Sequence, residues 1–109
     1  MKRTPIKQVG KIGRANAKAN RKIEKSASAR GIYFCEVCEV LHEMGLLNWQ
    51  CLQAKTNAHR HGRVWYRSQL DKLGDIKQWV FACIKAHNFI DENTIIREEV
   101  FLRLRGEEN

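Results

Sequence analysis

The chain has 109 residues, 43% of them hydrophobic, which suits one compact core and excludes a wholly disordered protein. No apolar run approaches the length that spans a bilayer, and the basic N-terminus has no apolar stretch behind it. A membrane protein and a secretory leader are therefore not expected, and an intracellular, cytoplasmic protein is. The formal net charge of +8 is unevenly placed: residues 1–30 hold ten basic residues and one acid, Glu24, leaving residues 31–109 at −1.

A basic segment on a near-neutral body fits a polyanionic partner, most simply DNA. Residues 1–30 are thus expected to be an arm, with Lys18, Arg21 and Lys22 among its phosphate contacts, and residues 31–109 the folded domain. Pro5, Gly10 and Gly13 among lysines predict a flexible stretch over 1–14. The Ala, Asn, Lys and Arg content of 15–30 predicts a helix with a weak apolar stripe, marginal alone.

Composition shifts at Gly31. Ile32, Tyr33 and Phe34 lead into Cys35-Glu-Val-Cys38, and Val40, Leu41, Met44, Leu46 and Leu47 form a short apolar, helical segment ending near Gly45 or Asn48. Trp49 to Thr56 alternates loosely, as a strand would. His59-Arg-His61-Gly-Arg63 marks a turn or strand end. Residues 64–74 are compatible with helix or loop. Asp75 to Ala86 fits one amphipathic helix, or a strand at Trp79–Phe81 running into a helix at Cys83. Asn93 or Thr94 caps a final helix with Ile96, Val100 and Leu104 on one face, stopped by Gly106. Trp49, Trp65 and Trp79 are expected in the core, and Tyr66 either there or stacking on bases.

Two thiolates two residues apart grip one side of a tetrahedral metal, and Cys83 with His87 can close such a site as Cys3His. Histidines 59 and 61 point the same way on a strand, where neutral imidazole binds a metal or takes a proton. His87 and Asp91 share a helix face and can hold a divalent cation. Arg60, Arg63 and Arg67 flank the histidine turn and are candidate phosphate contacts.

The order of these features resembles the HNH endonuclease family, and most closely the small HNH proteins common in bacteriophage genomes. The residues that carry the likeness are the start Met1-Lys-Arg-Thr-Pro-Ile-Lys7, Ala29-Arg-Gly-Ile32 into Cys35-Glu-Val-Cys38, and Thr56-Asn-Ala-His-Arg-His61 with Arg63. Val80-Phe-Ala-Cys83 through His87 and Asp91, and the tail Glu98 to Gly106, complete it. The resemblance implies an α+β, ββα-metal domain with flanking helices, with its first strand near 51–60, its second at 78–82 and its helix from Cys83. It implies a metal-dependent endonuclease cutting DNA in the host cytoplasm, with one divalent cation such as Mg²⁺, structural zinc and no organic cofactor. His59 matches the general base, Gln78 the middle residue that orients the base's loop, and His87 and Asp91 the cation ligands. Cys35, Cys38 and Cys83 match three zinc ligands. Three positions depart from the family. Ala86 replaces a cysteine, so Cys51 or His42 is expected as the fourth zinc ligand. Ala58 replaces an acidic cation ligand, a loss that His61 is expected to make good. Gln78 replaces Asn. The departures leave open an alternative, a non-catalytic zinc module that binds DNA or protein.

Overall fold

The structure, a computed structural model, describes residues 5–52 and 54–108, with side chains from residue 13 onward. It is an α+β fold of five α-helices and a two-stranded antiparallel sheet. The helices are α1 (Pro5–Ala29), α2 (Val37–Glu43), α3 (Arg63–Tyr66), α4 (Ile84–Glu92) and α5 (Thr94–Arg105). The strands are β1 (Thr56–His59) and β2 (Trp79–Ala82), and 3-10 turns cover Leu70–Gly74 and Ile76–Gln78.

The Asp75–Ala86 segment resolves as a strand leading into a helix, not as one amphipathic helix. Trp79, Val80, Phe81 and Ala82 are all buried, because β2 has both faces covered and such a strand needs a continuous apolar run. Register pairs Thr56 with Ala82, Asn57 with Phe81, Ala58 with Val80 and His59 with Trp79. Side chains alternate across the sheet. Ala58, Val80 and Ala82 pack with α2, α4 and α5 around Leu41, Ile90, Val100 and Phe101. Trp79 and Phe81 pack on the other side against Ile23 and Ala27 of α1. The expected strand over 49–56 begins only at Thr56. The final helix stops as predicted at Gly106, whose φ of 81° lies in the left-handed region that glycine adopts freely.

Residues 15–30 are not a separate arm. The expected flexibility of residues 1–4 lies outside the described residues, but from Pro5 a single helix runs to Ala29. Its Ala15, Ala19, Ile23 and Ala27 recur every four residues and face the body, with Ala19 against Tyr66 and Leu73. Alanines make this stripe weak in sequence and suited to close approach in space. Gly74 completes the fit: a Cβ there would meet Lys22 Cβ at 3.2 Å and the Ala19 Cα at 3.3 Å. Among the described residues no helix is long and apolar enough to cross a membrane.

Candidate metal centre and histidine cleft

The fold gathers four thiols from three segments. Cys35 and Cys38 bracket the start of α2, Cys51 comes from the connection to β1, and Cys83 is the residue that caps the N-terminus of α4. Their sulfurs all lie within 4.8 Å of one another. None is in a disulfide, and the Cys38 and Cys83 sulfurs are 3.6 Å apart. A zinc ion about 2.3 Å from each of four tetrahedral sulfurs sets them about 3.8 Å apart, so the quartet has the dimensions of such a site.

The surroundings divide the thiols. Burial raises the Cys83 thiol, but the backbone N–H groups of Leu52 and Ala86 and the Cys38 and Cys35 thiols outweigh it and bring Cys83 down to about 7. Burial pushes Cys38 well up, reinforced by the Cys51 and Cys83 thiols and opposed by the Trp49 indole. Burial also raises Cys35. The Trp49 Nε1–H is buried beside the Cys38 sulfur, and a metal-bound thiolate there would be a full acceptor for it. Four soft donors and a waiting N–H donor suit a metal such as zinc.

Cys51, one of two residues expected as the fourth ligand, is the one in the quartet. His42 is exposed and borders the hollow beside Cys35, Cys38 and Cys51. His87 also lies outside the quartet, which removes the Cys3His arrangement. His87 is engaged with Thr56 instead: the Thr56 hydroxyl is 2.7 Å from the Ala82 carbonyl oxygen and 2.7 Å from His87 Nδ1. The hydroxyl has one proton and the carbonyl none, so Thr56 donates to Ala82 and His87 Nδ1–H donates to Thr56. This leaves His87 Nε2 as the nitrogen that faces Asp91, 3.2 Å from its Oδ2. Octahedral ligands about 2.1 Å from a cation lie about 3.0 Å apart, so the pair has a chelating bite.

A separate cleft of about 370 Å³ opens beside α3, bordered by Asn16, His59, His61, Arg63, Tyr66, Arg67, Leu70 and Leu73. His59 and His61 both border it, although β1 ends at His59 and His61 stands in the bend that follows, not on a strand. His59 Nε2–H donates to the Leu73 carbonyl over 2.9 Å, leaving the Nδ1 lone pair unused. Burial lowers His59 below its ordinary 6.5, opposed by the Leu73 carbonyl, with the charge of His87 lowering it further and that of Asp91 raising it. His59 is therefore neutral at pH 7 and within electrostatic reach of the α4 pair. His87 and Asp91 do not border the cleft, however, and His61 is not gathered with them. Among the described residues the cysteines are the one group of three or more ligating side chains held together.

His61 stacks on Trp65 at 4.0 Å between centroids and donates from Nε2 to Glu108 over 2.7 Å. Trp65 is half-buried and packs, as expected, against the cluster of Ala19, Tyr66 and Leu73, and Tyr66 is fully core. Gln78 is buried and meets no solvent. It accepts from the Tyr66 hydroxyl, donates to Glu108, and its backbone carbonyl accepts from Arg60 N–H. It thus ties the histidine turn to β2 and is a positioning residue. Arg60 is not a phosphate contact. It is 2% exposed and paired with Glu98 at 2.6 Å, with a further bond to the Gly106 carbonyl. Arg63 and Arg67 are exposed at the cleft rim. Glu98, Glu108, Asn16 and Thr56 are the functional neighbours that sequence reasoning did not assign. Period-2 parity was a usable signal for Arg60, which follows Ala58 onto the core side. No family model, no curated protein and no solved structure matches this chain.

Proposed function

We propose that this protein is a metal-dependent, HNH-type endonuclease that hydrolyses phosphodiester bonds of DNA. In this reading β1, β2 and α4 are the strand, strand and helix of a ββα-metal domain, and the ordered motif set in the sequence supports it. The observation that carries the proposal is His59: a neutral, desolvated imidazole whose second nitrogen is tied to Leu73, facing a cleft rimmed by Arg63 and Arg67. Its Nδ1 accepts a proton from water as that water attacks phosphorus. Arg63 and Arg67 hold the phosphate and stabilise the charge that develops on it. Gln78 and Tyr66 keep the turn bearing His59 and His61 against β2.

His87 Nε2 and Asp91, outside the lining of the cleft but within electrostatic reach of His59, would hold a divalent cation, and such a cation would supply charge neutralisation to the phosphate and the departing oxygen. Imidazole with carboxylate favours Mn²⁺, Ni²⁺ or Zn²⁺ over Mg²⁺. The cysteine quartet holds structural zinc.

Plasmid nicking with added Mn²⁺ tests the proposal. His59→Ala should lower the rate at least about 100-fold. His87→Ala should raise the Mn²⁺ concentration required. The wild-type rate should rise with pH along an acid limb centred below 6.5, because the folded state holds His59 deprotonated down to that range. Nicking that is unchanged by His59→Ala would discard His59 as the base.

One observation favours the second reading, a zinc-stabilised binding module. Ala58 is fully buried against the α4 side of the sheet and offers no ligand where the family has an acid. Zinc-loaded protein that binds DNA but never nicks it, with any of these cations, is the outcome that selects the module.

A further inference from the structure

The docking of α1 sorts its charged residues. With Ala15, Ala19, Ile23 and Ala27 facing the body, and at about 100° per residue, Arg14, Lys18, Arg21, Lys22 and Lys25 fall within roughly 100° of arc on one flank. Asn16, Asn20 and Glu24 fall on the other. There Asn20 accepts from Asn57, and Glu24, the one acid of α1, pairs with Lys55 at 2.7 Å. The basic flank carries no acid. Lys18, Arg21, Lys22 and Lys25 are exposed, and none forms an ion pair among the described residues. The two flanks bracket the turn at Leu70–Gly74: Asn16 borders the histidine cleft, while Lys18 and Lys22 border a hollow of about 300 Å³ on the far side with Asp71.

We infer that this flank is a preformed docking surface for the sugar–phosphate backbone of double-stranded DNA, separate from the cleft. From Arg14 to Lys25 the row rises about 16 Å, at about 1.5 Å per residue, and B-DNA carries one charge per about 1.7 Å of axis, so a duplex laid along it places several phosphates in reach. Two absences on the described part of this flank identify the occupant. It has no aromatic side chain on which unpaired bases would stack, unlike the cleft, which His61 and Tyr66 border. It has no apolar side chain larger than alanine to enter a bilayer, because Ile23 is spent on packing against Trp79 and Phe81. Because the helix is already fixed by its alanine face, binding orders no backbone. The inference does not rest on the hydrolytic reading.

The test is duplex affinity as a function of salt, measured on the full zinc-loaded chain with His59→Ala in the background so that cutting plays no part. The triple variant Lys18→Gln, Arg21→Gln, Lys22→Gln should make the slope of log affinity against log salt shallower by about 0.9 per charge removed. The charge-preserving variant Lys18→Arg, Arg21→Lys, Lys22→Arg should restore it. An unchanged slope in the triple variant overturns the inference. So does a triple variant that loses binding to a single-stranded oligonucleotide or to phosphatidylserine vesicles while duplex binding stands.

Discussion

Arg105 and Glu36, 69 residues apart, form a largely buried bidentate ion pair that ties the end of α5 to the turn between Cys35 and Cys38. The Glu36 carboxylate also accepts from the Phe81 N–H over 2.9 Å, and Arg105 lies over the Trp79 ring at 4.8 Å. One carboxylate thus fixes the cysteine turn to β2 and to α5 together. Glu36→Gln leaves a buried guanidinium without its counter-charge and should cost about 3 kcal/mol, read from urea unfolding. A loss within error of zero would show the pair to be incidental.

Cys51 is the candidate ligand whose role the spacing alone leaves ambiguous. Cys51→Ser should lower the zinc retained after dialysis below about one ion per chain and reduce the melting temperature, because a structural site contributes directly to folding. His42→Ala should change neither. The reverse pattern would return His42 to the metal.

Gly74→Ala addresses the seat of α1. The added methyl meets the Lys22 side chain and the Ala19 backbone, and a backbone cannot give way as a flexible side chain can. The helix should be displaced, with a destabilisation of about 1–3 kcal/mol by thermal or chemical unfolding. A variant as stable as the wild type would mean the contact relaxes freely.

Tyr66 provides an alkaline signature. Burial pushes its phenol up to about 12 from an ordinary 10, opposed by the backbone N–H groups of His61 and Arg60 and reinforced by Glu108. The folded chain keeps this proton longer than the unfolded chain does. The stability tied to it is therefore complete below pH 10 and is lost as pH rises towards 12. Tyr66→Phe should remove that slope and cost about 1–2 kcal/mol at neutral pH, since it leaves Gln78 Oε1 without its donor. An alkaline slope that persists in the variant would assign it to other groups.

Motif spacing made much of the site legible before any coordinates. Cys35 and Cys38 announce themselves by their spacing, and His59 and His61 do reach one cleft, although the strand ends at His59 and a bend, not alternation, carries His61 there. The strand-to-helix junction at Cys83 was one of two readings that periodicity allowed. What eluded the sequence depended on surfaces made by distant residues. The alanine stripe of α1 has little apolar area by itself and becomes a packing face only because Gly74 leaves room for it. Arg60 beside a catalytic-type histidine suggests phosphate binding, and only the approach of Glu98 and Gly106 from the far end of the chain turns it into a buried structural cation. The fourth cysteine was settled by proximity in space, which no local pattern encodes.

The four sulfurs span the chain from Cys35 to Cys83, so on a ribosome the knot they tie cannot close until α4 has begun to emerge. Until that moment the nascent protein carries Cys35, Cys38 and Cys51 without their fourth companion. A zinc ion held by the quartet would therefore be captured late, once most of the chain has been made.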